Sequence, residues 1–176
     1  STQGYSSAAS DVYKRQVFLF LCAMFLCGAA AGGLTGLRAG EGDGAAVLSG
    51  LLAELPAHVV QSTLCALIWV LLPLVCAFLR PRELLLSAVA AARGFVLAMT
   101  VAVSVGEGNA LIIGAAGVPA VLSVSALLAA CSMVWQGGEA TGRYSLRTCR
   151  MPYFLCITLA VLSALLRAAI AALCNV

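Results

Sequence analysis

Five long apolar runs, separated by short gaps that hold nearly all of the charge, constrain this chain more than any motif does. The runs cover 17–37, 59–79, 84–105, 111–135 and 151–174. Each is long enough to cross a bilayer as a helix, which takes ~20 apolar residues. In hydrocarbon every backbone N–H and C=O must be satisfied internally, so only helices and closed barrels can span it. Runs this uniformly apolar read as helices. The expected fold class is therefore all-α: a polytopic helical membrane protein with about five transmembrane helices. Of the 176 residues, 62% are hydrophobic and only 10% charged, whereas a soluble domain carries about 25% charged residues. The spans leave no room for a sizeable soluble domain.

The gaps also carry an orientation. Arg80 and Arg82 lie in one, and Arg143, Arg147 and Arg150 in another, two gaps further on. The gaps between and before them hold mainly acids: Glu41, Asp43 and Glu54, then Glu107. Lys and Arg concentrate on the cytoplasmic side of a membrane protein. The N-terminus is then expected inside and the C-terminus outside, with loop 38–58 facing outward. Lys14 and Arg15 are not needed for this count. They belong to Asp-Val-Tyr-Lys-Arg-Gln at 11–16, which resembles the translation of a transposase end sequence used in preparing DNA sequencing libraries. The expected organisation is thus a non-native read-through segment, 1–16, followed by a single integral membrane domain, 17–176. On this reading the native start is lost, and the C-terminus is open to truncation as well. A signal peptide over Val17–Ala31, ending in Ala29-Ala30-Ala31, is the alternative for the first run; its basic flank would be artificial.

Within the runs a few residues break the apolar monotony. Gly28, Gly32 and Gly36 repeat at intervals of four and line one helix face, the pattern that lets two membrane helices approach closely. Glycine is also simply common in membrane helices; the double repeat favours packing. In the outward loop, Val47, Leu48, Leu51, Leu52 and Leu55 recur at helical spacing. They suggest a short amphipathic helix on the membrane surface or a loop helix packed on the bundle. Pro73 interrupts the second run, and Trp69, interior to it, reads as a packing residue. Trp135, at the end of the fourth run, reads as an interface anchor.

Arg93 is the costliest residue. It lies about 14 Å in from Leu84 at 1.5 Å per residue, where a charge costs about 3 kcal/mol on insertion scales. It can snorkel, pair with a polar group, or mark a break at Gly94 between two half-helices; a helix shifted so that Arg93 reaches the headgroups is the remaining possibility. Arg167 poses the same problem in the fifth run. Pro119 lies early in the fourth, and Ser123, Ser125 and Ser132, its only hydroxyls, are expected to bond the helix's own carbonyls.

Chemical motifs are missing from the pattern. No carboxylate lies within a run, and there is no His-Glu-x-x-His, Gly-x-Ser-x-Gly or phosphate-binding loop. Seven of the eight cysteines fall within apolar runs, there is no Cys-x-x-Cys, and His58 is the sole histidine. These cysteines read as small hydrophobes. No catalytic, cofactor-binding or metal site is expected, the protein is not expected to be an enzyme, and no basic patch supports nucleic-acid binding.

The order of features resembles the stage II sporulation protein M family of integral membrane proteins. The resemblance runs from about Val17 to the end. It comprises the first helix with Gly28 and Gly32, the interior tryptophan of Leu67-Ile68-Trp69-Val70, and Arg93-Gly94-Phe95 followed by Leu97-Ala98-Met99-Thr100. Val118-Pro119 and Gly142-Arg143-Tyr144 continue it. The chain departs from the family where glycine gives way to Ala98, where Gln-Asn gives way to Ala120-Val121, and where a late glutamate is replaced by Arg167. The resemblance implies a non-enzymatic scaffold in the bacterial cell membrane that localises peptidoglycan hydrolases, stage II sporulation proteins D and P, at the septum during engulfment. Membrane lipid is the other expected partner, with a homo-oligomer as an option. The alternative is a small permease or channel-like protein with a broken-helix site around Arg93 and Pro119.

Overall fold

The computed structural model describes residues 3–38, 59–106, 110–139 and 146–174. They form five helices: α1 (Gln3–Arg38), α2 (Val59–Cys76), α3 (Arg82–Gly106), α4 (Ala110–Glu139) and α5 (Leu146–Cys174). Four contain stretches long and apolar enough to cross a membrane, Val12–Arg38, Arg82–Val103, Pro119–Gln136 and Pro152–Ile170. The chain is an all-α, multi-pass membrane protein. Helix α2 is the short member, with 18 residues and hence about 27 Å of length. The expected amphipathic segment at 45–55, loop 39–58 and His58 lie outside the described residues.

The helices depart from the apolar runs mainly at their ends, and the reason is the same each time. Hydropathy marks where the membrane begins; helix propensity decides where the coil stops. Helix α1 starts at Gln3, well before the expected 17, because the serines, alanines and long polar side chains of 3–16 tolerate a helix. Likewise α5 begins at Leu146 rather than 151 and takes in Arg147, Arg150 and Pro152, and α4 runs on to Glu139. Helix α2 ends at Cys76 instead of 79. Three-residue turns close it, with Phe78 N–H donating to the Val75 carbonyl at 3.2 Å and Leu79 N–H to Cys76 at 3.1 Å. Pro81, at the cis Arg80–Pro81 bond, then leads into α3.

The first and third helices form the most extensive pairing in the bundle, and glycine makes it. A Cβ built on Gly28 would run into the Ala91 carbonyl, and one on Gly32 into the Phe95 carbonyl. On Gly36 it would lie 2.8 Å from the Ala102 Cβ and 3.0 Å from the Met99 oxygen. The contact is reciprocal, because a Cβ on Gly94 would meet the Phe25 carbonyl. Both series rise together along the two helices, so α1 and α3 run parallel, as helices separated by one return pass must.

Large apolar side chains face both ways, as a lipid solvent permits. Leu21, Leu86 and Leu127 are fully buried between helices, while Leu19, Leu26, Ile68, Leu84 and Phe154 point outward. In water such a surface would be an aggregation hazard; here it is the lipid contact. Cys76, Cys131 and Cys156 sit in the buried apolar core with Val70 and Val134, in keeping with cysteine as a small hydrophobe. Between α1 and α4, the Trp135 indole donates to the Tyr13 hydroxyl at 3.2 Å. Its ring meets Phe20 edge-on at 5.9 Å.

Candidate functional site

The polar residues of the membrane interior converge on α4. Arg93 is 1% exposed, and the helix that carries it is continuous from Arg82 to Gly106. The helix does not break at Gly94. The arginine is paired: one Nη of Arg93 donates to the Ser123 hydroxyl of α4 at 3.0 Å, and Ser123 in turn donates to the Ala120 carbonyl at 3.0 Å. From the other side, the Trp69 ring of α2 lies 5.2 Å from the guanidinium carbon, within the range of a cation–π interaction. Trp69 is thus a packing residue with a specific cargo, the arginine of α3.

Arg167 lies in the same polar seam. Its guanidinium donates to the Ser163 hydroxyl one turn back on α5, at 3.1 Å. Ser163 donates across the interface to the Pro119 carbonyl of α4 at 2.7 Å. Pro119 and Ser123 are one helical turn apart, so α4 receives the two arginine systems on adjacent rungs. Helix α4 also continues through Pro119. With both helices unbroken, the broken-helix geometry expected for a transport site around Arg93 and Pro119 is not what the backbone adopts. Near Pro73, the Tyr153 hydroxyl of α5 donates to the Val70 carbonyl of α2, tying those two helices together.

The residues singled out from sequence divide cleanly. Arg93, Trp69, Pro119 and Arg167 meet in this seam, while Gly28, Gly32, Gly36, Gly94 and the backbone of Phe95 build the α1–α3 contact that backs it. The three serines of α4 all bond carbonyls of their own helix, Ser125 to Leu122 at 2.9 Å and Ser132 to Ala129 at 2.8 Å, as expected. Ser123 has a second role, accepting from Arg93. Ser163 was not foreseen. Its signal was the spacing Ser163-x-x-x-Arg167, which places a hydroxyl and a guanidinium on one helix face.

Beside the seam lies an open apolar groove of about 490 Å³. Ala29 and Gly33 of α1, Val101 of α3 and Gly117 of α4 wall it, and both Arg93 and Arg167 contribute to its lining. Both arginines are themselves buried, so the surface they border is almost wholly hydrocarbon. No family model, no curated protein and no solved structure matches this chain.

Proposed function

We propose that this protein is a non-enzymatic scaffold of the bacterial cell membrane, resembling stage II sporulation protein M. In that role it would hold peptidoglycan hydrolases, stage II sporulation proteins D and P, at the septum during engulfment. The observation that carries the reading is the use made of Arg93-Gly94-Phe95, the segment of strongest resemblance. Gly94 and Phe95 belong to the backbone-to-backbone contact with α1, while Arg93 ties α3 to Ser123 of α4 and to Trp69 of α2. A segment that joins four helices serves a rigid platform, which is what a scaffold must present to its partners. Orientation follows from the arginine-rich gaps, with the N-terminus in the cytoplasm and the hydrolases engaged from the outer side.

The test is crosslinking in a sporulating host that expresses the chain. Stage II sporulation proteins D and P are expected to co-purify with it from detergent extracts. Their clean absence, with the protein present at normal level in the membrane, would sink the scaffold reading. The same host separates it from the rival permease: Arg93→Gln in a scaffold costs assembly or stability, whereas in a permease it costs flux while the protein stays folded.

A further inference from the structure

We draw no further inference here: the strongest candidate, the apolar groove between α1, α3 and α4 that Gly33 and Gly117 border, opens onto the lipid-facing surface, and nothing in the structure shows what covers it.

Discussion

The α1–α3 seam and the α3–α4–α5 seam solve one problem in opposite ways. Lipid tails are as apolar as leucine, so burial of hydrocarbon does not drive helices together in a bilayer. The first seam removes side chains. Gly28, Gly32 and Gly94 bring backbone against backbone, and dispersion at close range supplies the attraction. The second seam adds polar groups, with Arg93 on Ser123 and Arg167 on Ser163. The first is tight and intolerant of added volume; the second borders open space. A seam made by subtraction is rigid because nothing in it can yield, whereas a seam made by hydrogen bonds keeps room beside it.

The sharpest way to break the contrast is a pair of adjacent valines. Gly32→Val drives side-chain atoms into the Phe95 backbone, and Gly33→Val enters empty space. Overpacking of this kind costs about 1–3 kcal/mol and more where backbone must move. Gly32→Val should lose the folded, monodisperse form in mild detergent, and Gly33→Val should keep it, as size-exclusion profiles and thermal scans will read. Equal tolerance of both would mean that the glycine face is not the contact it is taken to be. The polar seam should respond less steeply. Ser163→Ala removes the acceptor of Arg167 and the link to the Pro119 carbonyl together. A loss of about 1–2 kcal/mol is expected in a denaturant titration, above the ~0.6 kcal/mol average for membrane hydrogen bonds because two are lost. Smallest of all is Ser125→Ala. That hydroxyl turns back to the Leu122 carbonyl on an exposed face, and a change within about 0.5 kcal/mol is expected in the same titration.

What could be read from the residues follows from where each signal is stored. Gly28, Gly32 and Gly36 announce a close contact, because spacing by four is itself the face of a helix. They do not announce α3 as the partner, since any helix with a small face would do. Arg93 announces a need for pairing, and Trp69 a packing role. Ser123, thirty positions from Arg93, becomes its partner only once α3 and α4 lie side by side. Ser163 escaped notice for a similar reason: in a long apolar run a lone serine looks like a residue satisfied by its own helix. Its position one turn before Arg167 was the available clue. The continuity of α3 through Gly94 and of α4 through Pro119 was open in the sequence, because a membrane helix can either break at such residues or have neighbours satisfy them.

The parallel register of α1 on α3 also sets a timetable. Each contacting pair, Gly28 with Ala91 and Gly32 with Phe95, is separated by 63 positions. At ~5–20 residues per second of synthesis, the first helix waits about 3–13 s after its glycines emerge before their partners do. Throughout that interval the bare face is turned to lipid, while α2, which is made in between, must be accommodated without claiming it. Biogenesis of this bundle therefore passes through a stage in which its tightest contact is only half made, and a nascent neighbour with a small-residue face is a competitor for it.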